Sequence, residues 1–249
     1  MALHRKQRPD APDGFFACEA AGLRWLRVPG GPPVADVLDV GPDHLDLVRL
    51  AEVAPTPAAA TDFGRRLAVL HDAGAPAFGS PPAGWTGDGF FGPLDRPLPM
   101  PAGSSGTWGA FLADCRITPL IEALPAEDDL PRFAERLRSG AWDDDDRPAR
   151  VHGDLWSGNV LWTPDGATLI DPAAHGGHRE SDLAMLALFG LPYLAEVIDG
   201  YQRVHPLRRG WRHRIGLHQV YPVGMHAVLF GGGYLGQLRA LLRQVLART

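Results

Sequence analysis

The sequence predicts an α+β protein, and three observations carry that prediction. Apolar residues recur at helical spacing over most of the chain beyond residue 61. Paired apolar runs of strand length, separated by turn residues, occur at 34–50 and again at 160–170. Strands and helices do not alternate as βαβ units, which excludes a doubly wound parallel sheet.

The elements follow in order. Asp13 is placed to cap a first helix in which Phe16, Ala20, Leu23 and Leu26 fall on one face, and VPGGPP (28–33) ends it. Val34–Val40 and Leu45–Leu50 read as strands around a Gly-Pro-Asp turn. Pro55-Thr56-Pro57 reads as a linker, and a second helix is expected from about Thr61, with Phe63, Leu67, Leu70 and His71 on one face. Residues 74–106, rich in Gly and Pro, form a loop of the length that compact domains keep for function. Helices are expected over 108–124 and 130–137, and the acidic run Asp143–Asp146 as a solvated loop. Val160–Trp162 and Thr168–Ile170, joined by Thr163-Pro-Asp-Gly166, form a hairpin, because Pro presets φ and Gly accepts φ > 0. Leu194, Val197, Ile198, Tyr201 and Val204 make a helical stripe, and 238–246 a terminal helix.

The chain has 249 residues, 45% apolar and 21% charged, close to ordinary globular composition, so wholesale disorder is excluded. A formal net charge of −5 argues against a nucleic-acid coat or a membrane-surface protein, both of which need a basic face. The two cysteines, Cys18 and Cys115, imply no disulfide framework and point to a reducing compartment. No run approaches 18 apolar residues and MALHRKQRPD has no apolar core, so the expectation is a cytoplasmic protein, neither membrane-spanning nor secreted.

The informative segment is VHGDLWSGN (151–159) followed by LIDP (169–172). Asp154 stands just before the hairpin, Asn159 enters its first strand and Asp171 leaves its second. A tight hairpin brings its ends together, so Asn159 and Asp171 are expected side by side with Asp154 next to them. An amide oxygen and a carboxylate converging on one point suit Mg²⁺. A second carboxylate nearby can take the proton of a hydroxyl nucleophile. Phosphoryl transfer needs these parts. Each residue alone has a plainer reading, Asp154 and Asn159 as turn formers and Asp171 as the end of a strand. The order and spacing of the whole set favour the chemical reading.

The segment resembles the catalytic and metal loops of kinase-like phosphotransferases, the fold shared by protein kinases, aminoglycoside phosphotransferases and choline kinases. HGD stands where protein kinases carry H-R-D, and Ile170-Asp171-Pro172 where they carry D-F-G. Within that group, HGDLWSGN and IDPAAHGGHRESDLAMLALFG (170–190) are similar to the fructosamine kinase family, or ketosamine 3-kinases. FACEAAGL (16–23), FGRRLAVLH (63–71), Trp85–Pro93 and LFGGGY (229–234) share the likeness, which runs from about residue 6 to the C-terminus.

The resemblance implies a two-lobed protein-kinase-like α+β fold, with a truncated β-rich N-lobe over 1–51 and a helical C-lobe over 52–249. It implies Asp154 as catalytic base on a sugar 3-hydroxyl and Asn159 and Asp171 as Mg²⁺ ligands. Glu19 would pair with the lysine that anchors ATP phosphates. Lys6, the only lysine in the chain, is the candidate. Arg179, Glu180 and Asp182 fall in the family's GHRExDLA motif, Asp182 as a helix cap, a buried brace or a substrate contact.

Two features depart from the family pattern. The five residues ahead of Lys6 leave no room for two further strands and a phosphate-covering loop, which is read as a start placed downstream of the true one. Val48 stands where the hinge strand carries Glu. The expected activity is ATP- and Mg²⁺-dependent phosphorylation of a ketosamine, free or on a protein lysine, by a monomer or weak dimer in deglycation repair. The alternatives are a non-catalytic pseudokinase and a related aminoglycoside or choline phosphotransferase. The spacing of His71, His152, His175 and His178 matches no common zinc pattern. Cys18 reads as a packed apolar cysteine, and Trp156 as a residue beside the catalytic loop.

Overall fold

Three short strands and one helix open the computed structural model, which describes residues 2–248. Strands β1 (Leu3–Gln7), β2 (Val37–Val40) and β3 (His44–Val48) form an antiparallel sheet in the order β1-β3-β2, with Lys6 opposite Leu45. Helix α1 (Phe15–Trp25) lies against it, burying Phe16, Ala20 and Leu23, with Leu26 just beyond its end, on Leu45 and Leu47. Asp13 does not cap α1. The helix follows Gly14, whose φ of 79° is open to glycine, and no side chain caps it.

The segment expected as one strand over 34–40 divides in two. Val37–Val40 joins the sheet, whereas Val34 bridges Leu169, with the Leu169 amide donating to Pro33 O at 2.8 Å and the Ala35 amide to Leu169 O at 3.0 Å. These bonds tie the N-terminal sheet to the hairpin of the larger body.

Helix α2 (Pro57–Asp72) starts four residues earlier than expected and absorbs the end of the supposed linker. Thr56 accepts from the Ala59 amide at 3.2 Å and Pro57 occupies the first helical position, a start signal written in the sequence as Thr-Pro. The loop 74–106 contains its own antiparallel hairpin, β4 (Gly89–Phe91) with β5 (Leu98–Met100). The helix expected over 108–124 is interrupted: α3 (Trp108–Leu112) passes through a π turn at Ala113–Ile117 into α4 (Thr118–Ala123). Pro119 cannot donate to Cys115 O, which accepts instead from the Arg116 side chain at 3.0 Å. Helix α5 (Asp129–Arg138) follows.

Strand β6 (Ala149–Val151) carries the chain into the 152–159 loop. The hairpin β7 (Val160–Thr163) and β8 (Gly166–Leu169) has the expected Pro-Asp turn, with Gly166 at φ 113°. Strand β9 (His175–Gly177) returns antiparallel to β6. Helices α6 (Arg179–Leu188), α7 (Leu194–Val204), α8 (Trp211–Phe230) and α9 (Gly233–Leu246) complete the body. The mixed, non-alternating order agrees with the α+β expectation. Among the described residues no helix is long and apolar enough to cross a membrane.

The acidic run is not simply solvated. Asp146 accepts from Arg179 at 2.8 Å, Asp144 lies 3.5 Å from His178 Nε2, and Asp143 accepts from the Gly109 amide at 2.7 Å; Asp145, 97% exposed, reaches Arg208 at 3.4 Å. Its charges close a network with α6 and with Arg208.

Helices α2 and α7 cross at two glycines. A Cβ on Gly64 would overlap Val197 O, and one on Gly200 would overlap Thr61 O, so backbone meets backbone and neither helix can yield alone. Gly200→Ala is therefore expected to destabilise the fold by at least about 1–3 kcal/mol, an overpacking cost readable in urea unfolding.

Candidate active site

Below the sheet and α1 lies a cavity of about 390 Å³, and Lys6, Glu19, Asp154, Asn159 and Asp171 all line it. The five residues expected to act together come from four places in the chain: β1, α1, the loop after β6 and the two ends of the β7–β8 hairpin.

The loop after β6 is held from beneath. Asp182, in the first turn of α6 and 1% exposed, accepts from the His152 amide at 2.7 Å and the Gly153 amide at 3.0 Å. It also faces His71 Nε2 at 3.1 Å. These donors outweigh burial and keep its carboxyl below the ordinary value. Asp182 is thus a brace and not the cap of α6, which is capped by the His178 ring accepting from the Glu180 amide at 3.1 Å. Gly153 has φ 82°, and a Cβ there would overlap Ala173 O, so only glycine lets the two loops meet.

His152 is fully buried and held neutral by that burial. Its Nδ1 accepts from the Asp154 amide at 3.3 Å, which leaves Nε2–H to donate to Ile170 O at 2.8 Å. The ring therefore pins the Asp154 loop to the strand end that carries Asp171.

Asn159, 5% exposed, closes the arrangement. Its Nδ2 donates to Asp154 O at 2.8 Å, to Asp154 Oδ2 at 3.1 Å and to Asp171 O at 3.4 Å. All three residues meet at the hairpin's open end, and Asn159 Oδ1 keeps no protein partner among the described residues. Asp171 sits at φ 52°, one of two non-glycine residues among those described with positive φ.

Lys6 donates to both oxygens of Glu19 at 2.8 Å and reaches Asp171 Oδ1 at 3.2 Å. Burial disfavours both charges and pushes the Glu19 carboxyl up, while Glu19 and Asp171 together hold the Lys6 ammonium above its ordinary value. With a bidentate contact of this length the pair is ionic. Among the described residues Asp154 has no cation partner, only the Asn159 amide. Burial raises its carboxyl to about 7, the Asn159 hydrogen bond opposes this, and the charges of Asp171 and Asp182 add to it. A carboxylate with proton affinity near neutrality is suited to take a proton from a hydroxyl.

Sequence reasoning missed part of the wall. Phe90 and Leu94 come from the β4–β5 hairpin, and His226, Leu229 and Phe230 from the end of α8. The length of the 74–106 loop and the LFGGGY stretch were the available signals. Trp156 also lines the cavity and stands edge-on to Phe189, their centroids 5.9 Å apart. Arg179 and Glu180 do not line it: Arg179 pairs with Asp72 and Asp146 at 2.8 Å, and Glu180 is held bidentately by Arg214.

The family model described as fructosamine kinase matches residues 6–248 of this chain. The chain belongs to the fructosamine kinase family. It is 46% identical to a Thermobifida fusca protein described as a fructosamine-3-kinase, whose crystal structure matches with a TM-score of 0.89 over 98% of this chain and 85% of that one. An Enterococcus faecium protein described as a ketoamine kinase is 31% identical over 97% of this chain and 86% of its own length. A choline/ethanolamine kinase family protein from Mesorhizobium loti, 15% identical, matches with a TM-score of 0.60 over 98% of this chain and 85% of its own, and shares the two-lobed kinase-like fold. This member of the family is accordingly a phosphotransferase.

The raised carboxyl of Asp154 has a consequence for stability. An unfolded Asp titrates near 3.9, so the native state of this kinase disfavours the ionised form, and stability is lost as pH rises from about 4 through about 7. Asp154→Asn, free of Mg²⁺ and nucleotide, is expected to melt several degrees above the unsubstituted protein at pH 8, with a smaller gap at pH 5, by differential scanning fluorimetry.

Proposed function

We propose that this family member transfers the γ-phosphoryl group of ATP, with Mg²⁺, to the 3-hydroxyl of a ketosamine, a ribulosamine or fructosamine formed on an amine or a protein lysine. One observation carries the reading: the Asp154 carboxylate is held by Asn159 at 3.1 Å in the cavity that also contains the Lys6–Asp171 contact. Identity of 46% to the Thermobifida fusca protein supports the ketosamine acceptor over an aminoglycoside or choline.

The residues fit a hard divalent cation. Asp171 offers a carboxylate and Asn159 an unpaired amide oxygen, both at the hairpin's open end, beside more carboxylates than Lys6 can neutralise. Mg²⁺ held there would offset the charge of the nucleotide phosphates. Lys6, steered by Glu19, anchors those phosphates. Asp154 accepts the proton of the acceptor hydroxyl as its oxygen bonds to the γ-phosphorus and the bond from that phosphorus to the bridging oxygen breaks, with ADP leaving. Attack is direct, without a phospho-enzyme. The 3-phosphate makes the adduct prone to eliminate, which gives the activity its place in deglycation repair. We take residues 1–51 as the N-lobe and 52–249 as the C-lobe of a cytoplasmic enzyme, a placement supported by free thiols at Cys18 and Cys115.

The test is ATP-dependent phosphorylation of a ribulosamine and a fructosamine followed by mass spectrometry. Asp154→Asn is expected to lower turnover at least about 10²-fold with little change in ATP affinity, and Lys6→Ala to raise the KM for ATP. An equally active Asp154→Asn variant, or no product from the unsubstituted protein, overturns the reading.

A further inference from the structure

The β4–β5 hairpin touches both sides of the cavity. Neighbouring side chains on a strand point to opposite faces, and here two adjacent rings do so. Phe90 meets Phe15 of α1 edge-on at 5.3 Å, while Phe91 meets Tyr221 of α8 at 5.8 Å. The tip is tied at two points. Arg8, two residues beyond Lys6, donates to Leu94 O at 2.8 Å. Arg96 donates to Leu229 O at 2.7 Å in the last turn of α8, where a cation complements unpaired carbonyls.

The body of α1 is packed in the core, but its start takes its support from this loop. No side chain caps its start, and the Trp85 ring, from the same loop as the hairpin, packs so closely over Gly14 that a Cβ there would overlap it. Phe15 and Cys18 share a face with Glu19, at i, i+3 and i+4. The Cys18 thiol lies against Gly89, the residue before Phe90, 3.8 Å from where a Cβ would stand there. Whatever moves Phe90 therefore moves the face that presents Glu19. On the other side Lys6 lies on an edge strand that, among the described residues, pairs with β3 alone. Two charges largely shut from water, one on an edge strand and one near the uncapped start of a helix, keep a bidentate contact only while both elements hold their places, because a small shift leaves an uncompensated charge.

We propose that the β4–β5 hairpin positions the Lys6–Glu19 pair, with Phe90 and Arg96 as positioning residues for nucleotide binding. The proposal rests on the reading that Lys6 anchors ATP. Phe90 acts through α1. Arg96 acts at a distance, by fixing the hairpin tip to α8, and touches neither Lys6 nor Glu19.

The test is a double-mutant cycle on the full chain, with Mg²⁺–ATP affinity measured by titration calorimetry. Phe90→Ala is expected to weaken affinity roughly tenfold, and to change it less than about twofold when Lys6→Ala is already present, since the two then act on one interaction. The exposed Arg96→Ala, which leaves the core packing alone, is expected to weaken affinity roughly threefold in the Lys6 background only. Arg96→Lys should restore most of it, because an ammonium still donates to a helix-terminal carbonyl. Unchanged affinity in both variants, or losses that multiply independently of Lys6, overturns the proposal while leaving the nucleotide reading intact. No Mg²⁺–ATP binding by the unsubstituted chain overturns that reading and the proposal with it.

Discussion

Asp182 is closed to solvent, and its carboxylate takes donors from two distant parts of the chain, the amides of His152 and Gly153 and the ring of His71. A buried carboxylate without water must be matched donor for donor, so its charge and the path of the 152–154 loop are one constraint. The match extends outward. Arg179 donates to the Tyr201 hydroxyl at 3.3 Å, Tyr201 donates to His71 Nδ1 at 2.8 Å, and His71 Nε2–H faces Asp182. It extends inward through His152, which hands the alignment to Ile170 and so to Asp171. Helices α2, α6 and α7 thus set the position of Asp154 without touching the cavity.

The charges of the cavity then divide the work. Glu19, Asp154 and Asp171 face one ammonium, and that ammonium is committed to Glu19 and Asp171. Asp154 is left with an amide donor and a loss of water, which is why its proton affinity rises toward neutrality while that of Asp182, with three donors, falls. Two carboxylates 28 residues apart in sequence, each beside His152, are both shut from water yet driven in opposite directions, Asp154 upward by burial that one amide donor does not offset and Asp182 downward by its donors. The shortage of positive charge on the cavity side is also what a bound divalent cation would relieve.

The hairpin at 160–170 and the convergence of Asp154, Asn159 and Asp171 were legible in the sequence because both rest on local spacing: a Pro-Asp-Gly turn brings positions twelve apart together whatever surrounds them. The Lys6–Glu19 pair was legible only through family resemblance, since nothing local links β1 to α1. Where reading failed, the missing information was tertiary. Asp13 lost the cap of α1 because Trp85, far along the chain, needs a glycine under its ring. The acidic run reads as solvated until Arg179 and His178 arrive from α6. The early start of α2 is a different failure, because Thr56-Pro57 carries a start signal that the linker reading passed over. Phe90 lay hidden in a Gly- and Pro-rich stretch whose strand pairing is three residues long.

Asp171 shows how local comfort yields to the site. It precedes a proline, which already narrows its backbone, and it adopts φ 52°, a region that costs a side-chain-bearing residue of order 1–3 kcal/mol. Glycine would adopt the conformation without strain but would remove the carboxylate that meets Lys6 at 3.2 Å. The same backbone twist presents Asp171 O to Asn159 at 3.4 Å. A relaxed strand end would extend β8 without turning the chain back toward the loop after β6, and the contact between β1 and the hairpin would lose its carboxylate partner. The strain sits at the one residue whose main chain serves Asn159 and whose side chain serves Lys6, so the surrounding contacts hold in place a conformation that the residue alone would leave.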